Sequence, residues 1–408
     1  MTQLRTLTAG QQLVGVGLPP IDLSTTDTMF RPQSFATLAE ARTALGAPAG
    51  ANYVMWTFDN TDLETVFANH LGENDILVLP EREDPYLINS SNGFMAGGVA
   101  EVDGVGVNGL KDGSRYPIVS NPRNWFSMCR ARRGIIGLGP NVVIQPSVSG
   151  WTQGRWPVLQ NEPSGQQFQK RYMTDGSSAD MVGSPCKLIG CESANPFFAN
   201  FTLRGRDFGG VDYSGLSLAS GTLKTVKRIY FDGCWRGHEG VPNAETGGLT
   251  LNQGTYLVEH CDFTSTDGPS PLMWNRTQGG TVRHVRSSRP NYGMFTFWRA
   301  GKANVFENVW LDCNRTGINL EENDGDFELA WTTGKMMLDS PSNKFHFGIN
   351  PSGGSIKINL TDVECSPNGW TPNTVGMNVY TTVGVQRRSD VSSNGLPIAY
   401  LPEANWIN

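Results

Sequence analysis

Gly248-Leu-Thr-Leu-Asn252, Pro271-Leu-Met-Trp-Asn275, Met294-Phe-Thr-Phe-Trp298 and Gly317-Ile-Asn-Leu-Glu321 can be laid over one another, and each starts 23 residues after the last. Gly215-Leu-Ser-Leu-Ala219 and Gly376-Met-Asn-Val-Tyr380 extend the set at either end. A second family is interleaved with the first: Asn200-Phe-Thr-Leu-Arg204, Arg228-Ile-Tyr-Phe-Asp232, His260-Cys-Asp-Phe-Thr264, His284-Val-Arg-Ser-Ser288 and Asn308-Val-Trp-Leu-Asp312. Its spacings are 28, 32, 24 and 24. Every segment alternates apolar and polar residues, the period of a strand with one buried face. Two strand families sharing one drifting period predict a chain that returns to the same place on every turn. The expected fold class is therefore all-β, a parallel β-solenoid.

Composition agrees with many short strands and turns. The chain has 408 residues, 48 Gly, 24 Pro and only 17% charged residues. Apolar residues make up 38% and 11 are Trp, which argues against disorder. A net charge of −6 argues against a general nucleic-acid binder. No run of 18 apolar residues exists, so no membrane insertion is expected. Met1 to Pro20 lack a basic start and a continuous apolar segment, so no secretory signal is expected and the protein is read as soluble and made in the cytoplasm. Seven widely spaced Cys do not suggest a disulfide framework; Cys261 and Cys313 fall on the apolar parity and read as core residues. Cys186 and Cys191 lack metal-ligand spacing.

Four regions are expected. Residues 1–50 form a polar attachment or collar segment with a helix from Thr37 to Leu45, capped by Thr37 and Glu40 and ended by Gly46 and Pro48. Residues 51–125 hold a capping helix and an irregular, Gly-rich stretch. That helix starts at the box Thr61-Asp-Leu-Glu64, carries Leu63, Val66, Phe67 and Leu71 on one face, and closes at Gly72. The strand Asp75-Ile-Leu-Val-Leu-Pro80 follows it. Residues 126–385 form the stacked strands, and 386–408 a tail that departs from the pattern. Gly137-Leu-Gly139 lacks the third glycine and the following helix of a nucleotide-binding loop, so turn glycines are the better reading.

The box at residues 60–64, the strand 76–80 and the stacked segments from Asn200 to Thr382 resemble the right-handed parallel β-helix family of phage tailspikes, minor tail proteins and pectate-lyase-like enzymes. The likeness covers about three quarters of the chain and is architectural, not a catalytic signature. It implies a right-handed single-stranded parallel β-helix with a helix capping its first coil. It also implies a virion location in the phage tail, a homotrimer, and contact with other tail proteins through residues 1–50.

Function has to come from the side chains that leave the core. In the first family, Leu249 and Leu251, Leu272 and Trp274, Phe295 and Phe297, and Ile318 and Leu320 point inward. Asn252, Asn275, Trp298 and Glu321 then form an outward row, with Arg276, Arg299 and Glu322 beside it. Amides, an indole face, guanidinium groups and carboxylates suit a sugar chain, through ring stacking and hydroxyl hydrogen bonds. The glycan-binding set is thus Asn252, Asn275, Trp298, Arg299, Glu321 and Arg276, and the partner a host surface polysaccharide or receptor. A plain solvated face, with an Arg299–Glu322 surface pair, and a subunit contact remain open as readings of the same row.

A depolymerase on the same scaffold is the alternative function. Glu321, Glu322, Asp324 and Asp326 could supply two carboxylates about 5–10 Å apart, as a glycosidase needs. The plain reading of this cluster is a solvated turn, and a calcium loop lacks the 12-residue order. The second family presents Asn200, Arg228, His260, His284 and Asn308 as another outward row. His260, Asp262 and His284 are read there as a polar ladder with an Asp262–Arg286 pair, not as metal ligands. No metal and no cofactor are expected.

Overall fold

A computed structural model describes residues 12–13, 21–22, 29–88, 127–146, 170–172, 178–180, 187–205, 214–218, 221–232, 248–263, 272–289, 295–298, 300–301, 303–313, 318–321, 327–337, 345–347, 356–365, 377–379, 385–386 and 406–407. Most of the irregular stretch expected over 81–125, and most of the 386–408 tail, lie outside these residues.

The described chain is mostly β, and two large parallel sheets dominate it. From Leu249 to Val379, the described consecutive strands alternate strictly between them. Leu249–Asn252, Leu272–Asn275, Phe295–Trp298, Ile318–Glu321, Phe345–Phe347 and Met377–Val379 lie side by side in a nine-stranded sheet. Thr255–Glu259, Gly279–Arg289, Asn304–Cys313, Phe327–Met337 and Ile356–Cys365 do the same in a twelve-stranded sheet. Each passage along the chain adds one strand to each sheet, in register with the strand before. Neighbouring levels are therefore about 4.8 Å apart. The register in the first sheet is Leu249, Leu272, Phe295 and Ile318, as the sequence overlay expects, and Phe345, which the overlay did not contain, follows them.

Parity sets the core. Leu249, Leu251, Leu272, Trp274, Phe295, Phe297 and Ile318 are all fully buried, and they join one continuous cluster with the inward residues of the other sheet. Because equivalent positions stack, aromatic rings meet across levels. Trp274 lies 4.1 Å from Phe297 at an interplanar angle of 4°, and Phe231 lies 4.5 Å from Phe263 at 6°. Such pairs add about 0.5–1.5 kcal/mol each to simple burial.

The bends between the sheets use left-handed backbone. Gln253 and Arg276, the residues after Asn252 and Asn275, both have φ of 55°. At the first bend the buried Lys224 ammonium donates to the carbonyls of Gln253 at 2.6 Å and Gly221 at 3.2 Å. Desolvation lowers the pKa of this lysine to about 8. A β-carbon on Gly134 would lie 1.8 Å from the Phe197 carbonyl oxygen of the next level. One on Gly137 would lie 2.1 Å from that of Asn200. Both glycines thus sit in close strand-to-strand contacts, and for Gly137 this is a different reason for glycine from the turn expected there.

Helix α1 (Leu38–Leu45) starts at Thr37, whose hydroxyl accepts from the Glu40 amide, while the Glu40 carboxylate accepts from the Ala36 amide. Gly46 ends it at φ 62°. Ala41 and Leu45 pack onto Ile76, Ile136, Phe197 and Ala199, on the outer face of the twelve-stranded sheet.

Helix α2 (Leu63–Asn69) is capped by Asp62 rather than Thr61. The Asp62 carboxylate accepts from the Thr65 amide, so the start moves by one residue and Glu64 turns inward to 3% exposure. Its C-terminus is His70, not Gly72. Arg132 donates to the carbonyls of Phe67 and Ala68, which supplies the partners a left-handed glycine would otherwise arrange. The helix packs against Ser127–Ala131, the end strand of the nine-stranded sheet, and buries Leu63, Val66 and Phe67 in the core. It covers a sheet edge that would otherwise be unpaired.

Candidate functional site

The row expected to bind a glycan is real in register. Asn252, Asn275, Trp298 and Glu321 are successive Cα partners across four strands. Its first member is closed, however. Asn252 is 2% exposed, and its amide nitrogen donates toward Ser217 Oγ at 3.5 Å and the Leu218 carbonyl at 3.4 Å. Ser217 and Thr250, on the outer parity of the same levels, are buried as well. Asn252 keeps the outward parity but is not open to a ligand: its side chain serves the sheet. Arg276, one residue past Asn275, is exposed. Asn275, Trp298 and Glu321 are placed by their backbone alone. Arg299, Glu322, Asp324 and Asp326 lie outside the described residues.

The second row is also real, with a different geometry from the one expected. Asn200, Arg228, His260, His284 and Asn308 line up level by level in the twelve-stranded sheet, and Thr333 continues them. All six have left-handed backbone, with φ between 51° and 66°. Each marks a corner at which its strand changes direction. A left-handed residue other than glycine costs about 1–2 kcal/mol, less for Asn and His, so the row must be held by its surroundings.

Part of that holding comes from the chain's own N-terminal region. Residues 29–35 run down the row as a strap. Met29's carbonyl accepts from His260 Nδ1 at 2.8 Å, and Arg31's carbonyl from the Arg228 guanidinium at 3.3 Å. Gln33 exchanges two bonds with the Asn200 side chain, at 2.7 and 2.8 Å. Phe35's amide donates to Leu138. One side chain at each of three successive levels thus takes a carbonyl at every second strap residue. Phe30 is fully buried, 5.3 Å from the Trp310 ring and under the Arg286 guanidinium. Arg31 lies over Tyr230 at 4.1 Å.

This contact corrects the reading of Asn200, Arg228, His260, His284 and Asn308 as a free outward face. Asn200 is fully buried, and its amide also donates to the Gly137 carbonyl. The expected Asp262–Arg286 pair is present at 2.7 Å, and Arg31 of the strap joins it at 2.8 Å. The fully buried Asp262 carboxylate is thereby given to two guanidinium groups, not to a metal. No group of three potential metal ligands occurs among the described residues. On the same level, Glu259 pairs with Lys227 at 2.8 Å and with Arg283. Burial alone would raise its pKa, but these two cations hold it below the usual carboxylate value.

His260 and His284 stack at 4.7 Å. Burial, and then the Arg228 charge, push the His260 pKa down to about 4. Burial and Arg283 lower that of His284. Cys129, Cys191 and Cys261 are buried, free thiols whose pKa values desolvation raises, which suits core packing and not nucleophilic chemistry.

Sequence reading missed the strap, because Phe30-Arg-Pro-Gln has no periodicity of its own. One signal was available. Asn, Arg, His, His and Asn stand at one position of strands that otherwise alternate, and Asn and His are enriched in left-handed backbone.

Compared with known proteins, the chain matches no family model, no curated protein and no solved structure.

Proposed function

We propose that the chain is a right-handed parallel β-helix that serves as a phage tail spike or minor tail protein and binds a glycan or receptor on the host surface. The observation that carries this reading is the register of Asn275, Trp298 and Glu321. An amide, an indole and a carboxylate recur one per level, about 4.8 Å apart, along a single row. A linear polysaccharide presents its rings and hydroxyls in the same repetitive way. Arg276 is exposed at one end of the row, where a charged or hydroxyl-rich sugar can be met. The buried Asn252 marks where the row closes, so the binding stripe runs from Asn275 toward Glu321.

The strict alternation of strands between two parallel sheets supports the β-helix. Helix α2 over the end strand supports the capped first coil. Elongated proteins of this kind assemble through their lateral faces, and cyclic closure as a homotrimer uses those faces without growing a filament.

The test is to incubate the purified protein with envelope polysaccharide of a bacterial host and to follow both retention and chain length. Retention with unchanged chain length is the expected result. Shortened chains would move the function to the depolymerase reading and to the carboxylates at Glu321, Glu322, Asp324 and Asp326. Absence of retention with every host polysaccharide tried would remove the glycan reading.

A further inference from the structure

The strap is held partly through a hydrogen-bond relay on the corner row. Trp310 Nε1 can only donate, and it lies 2.8 Å from Asn308 Oδ1, which fixes the orientation of that amide. Asn308 Nδ2 is then the donor in its 3.0 Å contact with His284 Nδ1. His284 must therefore be neutral there, with its Nδ1 lone pair free to accept. Asn308 Nδ2 also touches the Met29 sulfur at 3.5 Å, and Trp310 is the ring that covers Phe30. His260 carries its own proton on Nδ1, because the Met29 carbonyl opposite can only accept. One imidazole thus holds the strap directly and its stacked neighbour holds it through Asn308 and Trp310.

We propose that the His260–His284 pair makes the N-terminal strap an acid-released latch on the corner row. Protonating His284 at Nδ1 turns the acceptor for Asn308 into a donor. Asn308 cannot rotate its amide to compensate without giving up Trp310. The support for Phe30 and Met29 loosens as a result.

The charged surroundings favour the same outcome. Facing the pair are Arg283 and Arg286 on the strand of His284, Arg228 on the strand below His260, and Arg31 on the strap. The acids nearby are Glu259, Asp262 and Glu307. Glu259 is already taken by Lys227 and Arg283, and Asp262 by Arg31 and Arg286. Glu307 is exposed, so water screens its charge. A second cation 4.7 Å from the first would find no uncommitted buried carboxylate.

The sign follows from linkage. Both imidazoles are held below the ordinary 6.5 when the strap is seated, His260 at about 4. The seated form then binds fewer protons than the released form over that interval. Seating is complete above 6.5 and is lost as pH falls toward 4.

Hydrogen exchange on the full-length protein tests this, read at the Gln33 and Phe35 amides, which the strap bonds to Asn200 and Leu138. After correction for the intrinsic pH dependence of exchange, their protection should fall by about tenfold or more between about pH 7.5 and pH 4.5. Amides in Leu249–Asn252 should keep theirs. In His284→Gln the fall should be clearly smaller than in the wild type, because an amide oxygen accepts from Asn308 at either pH and His260 alone still titrates; Gln253 shows that Gln tolerates this backbone, at φ 55°. Should that variant not fold, His284→Asn gives the same test with the residue that left-handed backbone favours. Protection independent of pH in the wild type would overturn the latch. So would an equal fall in the His284 variant, which would assign the titration to another group.

Discussion

At the scale of single residues, parity decides what a side chain does. Phe297, at an inward position of its strand, is fully buried and packed flat on Trp274. Phe297→Ala should therefore cost about 3–5 kcal/mol of stability through the cavity it leaves. Denaturant unfolding followed by tryptophan fluorescence would check this. A loss below about 1 kcal/mol would mean that the stacked rings at this level contribute little. The inward set was legible because alternation is a strong local signal that a buried sheet face imposes directly. Asn252 shows the limit of the same signal. Alternation says that its side chain leaves the core, but not whether something else covers it, and here the amide is buried against Ser217 and Leu218.

At the scale of elements, the strap changes how the N-terminal region is understood. The helix expected between Thr37 and Leu45 is present with its cap and its glycine stop, because capping residues act within a single turn. The seat of residues 29–35 was not legible. It depends on contacts between residues as far apart in sequence as Arg31 and Asp262. Phe30 is the anchor, buried against Trp310 and Arg286. Phe30→Ala should abolish protection of the Gln33 amide while leaving the thermal unfolding of the stacked strands within about 1 °C, since the strap can leave without opening the core. A large drop in unfolding temperature would instead make the strap part of the cooperative fold. The start of α2 shifts from Thr61 to Asp62 for a local reason. Two adjacent residues can both cap, and here the carboxylate takes the place of the hydroxyl.

At the scale of the whole molecule, the overlay of five-residue segments foretold the order and register of the strands from Leu216 to Glu321, but not the strands Phe327–Met337, Phe345–Phe347 and Ile356–Cys365 that follow. A stack of equivalent levels repeats its requirements at every turn, so the pattern accumulates over the chain. The row from Asn252 to Glu321 was legible as a line but not as an open or covered surface, because exposure depends on everything that packs over it. The proposed homotrimer should appear in light scattering at micromolar concentration as a single species of three chains, each of 44.5 kDa. A monodisperse monomer would count against it. Trp298→Ala tests whether the row from Asn275 to Glu321 binds a host glycan, as proposed. Binding of the wild type and the variant to immobilised host polysaccharide should be compared, with the mass of each confirmed by light scattering. Binding by the variant should weaken by about 1–3 kcal/mol, the scale of an aromatic anchor, with assembly and unfolding temperature unchanged. Unchanged binding by Trp298→Ala, with either a normal assembly or a dissociated one, would contradict the proposal.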